Sequence, residues 1–172
     1  MSDERDAPLR TTYFGGLGSL IKPTDDNLVL AVVRNPHEFV NDVADRTVPA
    51  VAPPTNLLDA YKRVEEAAES DDLPNPSGVA WRSVGFGRRY REHLEQPGQQ
   101  QVIETLRDKA RETRVWLVCY EKNPQWCHRR LLADELATDD LAVAHHPEPS
   151  TEIDAESGRR DARLTEFGGT EQ

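Results

Sequence analysis

Two unbroken apolar runs, Leu28-Val29-Leu30-Ala31-Val32-Val33 and Val115-Trp116-Leu117-Val118-Cys119-Tyr120, constrain the fold of this chain more than any other feature. Each is too short for a helix and lacks the polar alternation of a strand with one wet face, so each must be a central strand covered on both sides. Each stops at a polar turn, Arg34-Asn35-Pro36 after the first and Glu121-Lys122-Asn123-Pro124 after the second. Strands of this kind need helices above and below, and the intervening sequence supplies them. Leu57, Leu58, Tyr61, Val64 and Ala68 share one helical face, with Asp59, Lys62, Arg63 and Glu66 opposite. A second helix is expected from about Trp81 to Glu95, with Phe86, Tyr90 and Leu94 stacked, interrupted or bent near Gly85 and Gly87; a third spans roughly Gln99 to Glu112. A fourth begins at about Cys127 and turns Leu131, Leu132 and Leu136 inward. Thr11 to Phe14 reads as a short first strand broken by Gly15-Gly16, and Leu141 to His145 as a short last one. Residues 37–53 give no clear pattern beyond an extended Val48–Pro54. The expected architecture is a three-layer α/β fold, its mostly parallel sheet of about four to five strands carrying helices on both faces.

At 172 residues the chain suits one domain. Only 37% of it is hydrophobic, below the roughly 45 to 50% of globular chains, so part of it should stay unpacked. The pattern assigns residues 1–10 to a disordered N-terminus, 11–146 to the α/β domain and 147–172 to a disordered acidic tail. No run approaches the roughly 18 apolar residues of a membrane span, and the charged start MSDERDAPLR has no apolar stretch behind it to serve as a signal peptide, so a soluble, cytoplasmic protein is expected. With 21 Lys and Arg against 31 Asp and Glu, the net charge of -10 argues against a broad basic face for nucleic-acid backbones. Lysine is confined to Lys22, Lys62, Lys109 and Lys122, while acid pairs such as Asp25-Asp26 and Asp139-Asp140 recur. This composition resembles that of salt-loving archaea, where molar salt shortens the Debye length to about 3 Å and screens such a surface.

Ligands of open α/β sheets bind beyond the carboxyl ends of the strands, which selects the segments after Val33 and Tyr120. The second carries Glu121-x-x-Pro124-x-x-Cys127-His128-Arg129 from a strand into a helix. There the first-turn N–H groups are unpaired and anions are favoured. A cysteine so placed, beside Arg129, Arg130 and a protonated His128, gains thiolate character; the same residue facing inward would simply pack. Two cysteines make no secreted disulfide framework, so Cys119 and Cys127 are either core residues or chemistry. Neither C-x-x-C nor H-x-x-x-H spacing occurs, and Gly15-Gly16-x-Gly18 lacks the dinucleotide and P-loop fingerprints, so no metal and no cofactor is expected. There is no Gly-x-Ser-x-Gly elbow, and the residue six after Cys127 is Ala133, not the arginine of a phosphatase loop.

The string V-C-Y-E-x-x-P-x-x-C-H-R followed by R-L-L-A-x-E-L resembles the C-terminal signature of the domain-of-unknown-function 488 family. Tyr13-Phe14-Gly15, Val32-Val33-Arg34-x-Pro36 and the Phe86, Tyr90, Leu94 helix resemble further parts of it, so the similarity covers roughly residues 11 to 145. One position departs from the family pattern: many members carry Asp two residues before the arginine, where this chain has Val32. The resemblance implies a cluster of Arg34, Cys119, Glu121, Cys127, His128 and Arg129 at the two strand exits. Cys127, Glu121 and His128 are the catalytic candidates; Arg34, Arg129, Tyr13 and Cys119 are candidates for holding substrate. Arg34 and Arg129 can clamp a phosphate or carboxylate, or pair with Glu121. The expected partner is a small anionic ligand or nucleic-acid component. Two functions follow: a small enzyme acting on a nucleotide, nucleic-acid or phosphorylated substrate, or a module that binds a nucleotide or nucleic-acid end without chemistry.

Overall fold

The computed structural model describes residues 7–21 and 26–149. Most of the expected tail, and residues 1–6 and 22–25, lie outside the described residues. The five strands are β1 (Leu9–Tyr13), β2 (Asn27–Ala31), β3 (Arg46–Thr47), β4 (Arg114–Cys119) and β5 (Val143–His145). They form one sheet in the order β3-β2-β4-β1-β5, and every pairing is parallel. The two apolar runs sit where their composition requires: β4 is the centre of the sheet and pairs residue for residue with β1 on one side and β2 on the other.

The main layer of helices is α3 (Thr55–Ser70), α4 (Pro76–Ser83), α5 (Phe86–Leu94), α6 (Pro97–Glu112) and α7 (His128–Leu136). Leu57, Tyr90, Leu94, Ile103, Leu132 and Leu136 from these helices close over Leu30, Val32, Val115 and Leu117 of the sheet. The opposite face is thinner. There α1 (Leu17–Leu20) and α2 (Val40–Val43), with Phe14, cover Val29, Ala31, Trp116 and Val118. No helix among the described residues is long and apolar enough to cross a membrane.

Several boundaries differ from the sequence reading. β1 starts at Leu9, inside the stretch assigned to a disordered N-terminus, because Leu9 is fully buried in register with Val115 and Val143. Arg10, which interrupted the apolar pattern, lays its guanidinium over the Trp116 ring at 5.4 Å. The helix expected from Trp81, interrupted or bent near Gly85 and Gly87, is interrupted: it is two helices, because Gly85 adopts a left-handed φ of +61°. The first of them starts at Pro76, where Asn75 caps it through a hydrogen bond from the Gly78 N–H.

Candidate active site

A pocket of about 270 Å³ opens at the carboxyl ends of β2 and β4, where the parallel topology places ligands. The exit of β2 contributes Val33, Arg34 and His37; the exit of β4 contributes Cys119, Tyr120 and Glu121. Tyr61 and Glu65 of α3 form the facing wall, and Cys127 and His128 enter at the start of α7. Five of the expected site residues therefore share one space: Arg34, Cys119, Glu121, Cys127 and His128.

Cys127 is the N-cap of α7 rather than a residue of its first turn, and no side chain caps that helix end. The Arg130 N–H donates to the Cys127 carbonyl, so the helix opens at the cysteine, with the N–H groups of His128 and Arg129 at its head. Cys127 Sγ lies 4.0 Å from His128 Nδ1, while His128 Nε2 is hydrogen-bonded to the Val32 carbonyl. A carbonyl only accepts, so Nε2 carries the proton and Nδ1 presents its lone pair to the thiol. Burial holds the imidazole neutral, its pKa lowered to about 4 despite the Val32 bond, with the charge of Arg129 adding to the effect. Cys119 and Cys127 meet sulfur to sulfur. Their Cα atoms are 7.9 Å apart, beyond the roughly 4.4 to 6.8 Å that disulfides span. We read them as adjoining thiols rather than a cross-link.

Arg129 points away from the pocket. It is wholly buried, and its Nη1 donates to Cys119 Sγ at 3.2 Å and to the Glu121 carbonyl, while Nη2 donates to the Lys122 carbonyl at 3.0 Å. Its guanidinium thereby ties the end of β4 to α7 and places a cation against the Cys119 sulfur. Burial lowers its pKa to about 10, partly opposed by Glu121. Arg34 reaches the pocket with most of its donors engaged: Nε donates to the Pro53 carbonyl, and Nη2 to those of Pro49 and Ala52. It braces the 49–53 turn, which a chain-local reading of an arginine at a strand exit does not reveal.

Glu121 and Glu65 both line the pocket. Tyr61 Oη and Ser77 Oγ each donate to Glu65 Oε2, at 2.9 and 2.8 Å. Enclosure raises the Glu121 pKa, the charge of Glu65 raises it further, and Arg129 opposes. At the mouth, Tyr120 Oη donates to the Asn35 carbonyl and accepts from the His37 N–H, which fixes the His37 and Tyr120 rings 5.2 Å apart. Tyr13 is elsewhere, in a separate recess beyond the other side of β4. Among the described residues no group of three or more His, Cys, Asp and Glu is placed to hold a metal ion.

A family model, DUF488-N3a, described as the Active DUF488-N3 subclade, matches residues 13–140. The chain belongs to this family. No curated protein and no solved structure matches it. The DUF488-N3a match starts at the last residue of β1 and runs past α7, so every residue singled out at the strand exits falls inside it. The residues of this DUF488-N3a pocket that sequence reasoning missed are Tyr61, Glu65, His37 and Tyr120. One signal was available: Glu65 follows Tyr61 by four positions and so borders the stripe that α3 buries.

Proposed function

We propose that this protein is a small thiol-dependent enzyme acting on an anionic substrate of the nucleotide, nucleic-acid or phosphorylated class. The observation that carries this reading is the oriented imidazole: His128 is locked through Nε2 on a backbone carbonyl and turns an unprotonated Nδ1 to the Cys127 sulfur in an open pocket. Nucleophile, base and the group that orients the base are the three parts that thiol catalysis requires. In the reaction, His128 takes the thiol proton as Cys127 adds to the substrate's electrophilic atom. The first-turn N–H groups of α7 receive the negative charge that develops there. Glu121, its pKa raised, gives a proton to the leaving group as the bond to it breaks; water then displaces Cys127, with Glu121 taking a water proton and His128 returning the thiol proton. The rings of His37, Tyr120, Phe86 and Trp126 around the cavity suit a flat substrate part such as a nucleobase. We further read the protein as cytoplasmic and salt-adapted, on the strength of its net charge of -10 and four lysines.

The test compares wild type with Cys127→Ser and His128→Gln on a panel of nucleotides and phosphorylated compounds, following turnover and, separately, binding by thermal shift. Turnover lost with binding kept is the expected result. Iodoacetamide labelling of Cys127 should follow an inflection below about 8.5, the pKa of a free thiol. A Cys127→Ser protein that turns over substrate at the wild-type rate sinks the thiol mechanism, and ligand binding without turnover in wild type makes the protein a binding module.

A further inference from the structure

A second recess, of about 370 Å³, lies at the carboxyl ends of β1 and β5. It sits across the β4 exit from the first pocket: Glu121 lines one space, and its neighbour Lys122 lines the other. We propose that the recess bounded by Thr12, Tyr13, Gly16, Lys122 and His146 is a second ligand site, one that takes a phosphate-type oxyanion.

Its polar lining is unfinished. Thr12 is wholly buried, and its Oγ1 has no hydrogen-bond partner among the described residues. That hydroxyl points at the wall made by Gly16, since a Cβ there would lie 2.9 Å from Oγ1 and 3.0 Å from the Tyr13 ring. Gly16 has φ -91° and ψ -15°, a backbone that any residue adopts, so what the glycine contributes is its close approach to Thr12 and Tyr13, where a methyl group would clash. His146 Nε2 is enclosed and likewise without a partner. The ring is held in place, because the His146 N–H donates to the Thr11 carbonyl at 2.9 Å and the imidazole lies 5.5 Å from the Trp116 ring. Native structures satisfy nearly all buried polar groups, and these two open ones belong to residues that line one recess, so they mark a place for a ligand.

The chemistry of the lining selects an anion. Lys122 is exposed and forms no ion pair among the described residues. With the hydroxyls of Thr12 and Tyr13 and the imidazole of His146 it makes a cationic, donor-rich wall. Among the described residues the only carboxylate on the lining is Glu148, which is exposed. The field agrees with this: burial first, and then Arg129 and Arg130 at His145 and Arg10 at His146, lower the pKa values of the two imidazoles. In a chain carrying -10 overall, this is a local positive spot.

The experiment is isothermal titration with inorganic phosphate, and in a second arm methyl phosphate, at constant ionic strength. The proteins are wild type, Lys122→Gln, Thr12→Val, Gly16→Ala and, for the first pocket, His128→Gln. Expected are saturable binding to wild type and His128→Gln, and at least tenfold weaker binding to Lys122→Gln, Thr12→Val and Gly16→Ala, whose methyl group presses on the Thr12 hydroxyl and the Tyr13 ring. The arm that binds tells a free ion from a phosphomonoester. Equal melting temperatures show that each variant is folded; should Gly16→Ala melt early, Lys122→Gln, altered at an exposed side chain, decides. Absence of binding to wild type, or binding that only His128→Gln abolishes, overturns the second site. The second of these results leaves the enzyme reading of the first pocket standing.

Discussion

At the scale of single residues, the Cys-His-Arg string divides into three jobs. Cys127 faces the pocket, His128 aims at its sulfur, and Arg129 turns inward to hold the end of β4. The string marked the position of the site in the sequence, but helical geometry sends neighbouring side chains about 100° apart, so adjacency in sequence did not mean a shared space. Replacing Arg129 by Ala strands two carbonyls and leaves a cavity, which should cost about 2 to 5 kcal/mol in urea unfolding. A cost below about 1 kcal/mol would show that the guanidinium does not tie these elements together. The imidazoles give a pH dependence of known sign. His128 and His145 both have folded pKa values near 4, below the unfolded value of about 6.5. Between those values the unfolded chain binds protons that the folded one refuses, so stability is full above about pH 6.5 and falls as acid is added towards pH 4. Urea midpoints measured from pH 7.5 to 4 should show this fall, and His145→Gln should flatten it.

At the scale of elements, the strands and long helices were legible because each keeps one period over many residues. α3 and α6 are both 16 residues long; α3 contains the whole expected stripe from Leu57 to Ala68, and α6 ends at Glu112 as expected and starts two residues early. The stretch between β2 and α3 was not legible. It holds α2, the two-residue β3 and a single 3-10 turn over Pro49–Val51, none long enough to show a period. What orders it comes from far along the chain: Arg34 grips the Pro49, Ala52 and Pro53 carbonyls, and Tyr90 Oη donates to the Val51 carbonyl at 2.7 Å. Arg34→Ala should therefore lower stability by about 1 to 2 kcal/mol and speed hydrogen exchange at the amides of residues 50–57. Unchanged exchange there would return Arg34 to the free anion clamp that its sequence position suggested.

At the scale of the whole molecule, a net charge of -10 on 172 residues repels itself. The ion pairs that offset it are mostly exposed and local on helices, such as Arg88 with Glu92 and Lys109 with Glu112, and pairs of that kind contribute little. Screening by salt is the remaining remedy. The melting temperature should rise by several degrees between about 0.1 M and 3 M potassium chloride, at fixed pH. A flat response would remove the salt-adapted reading and leave an ordinary acidic protein. The strand order carries a consequence for how the chain is made. β1 and β2 are the first strands synthesised, yet they never touch: each pairs with β4, whose residues follow about 100 positions after β1. While the ribosome is still reading the helical middle of the message, the sheet has no centre to assemble on: β1 has no partner yet, and β2 has only the two-residue β3. Assembly must begin late and close long loops at once, which makes this a slow-folding topology whose nascent chain needs shielding until Cys119 has emerged.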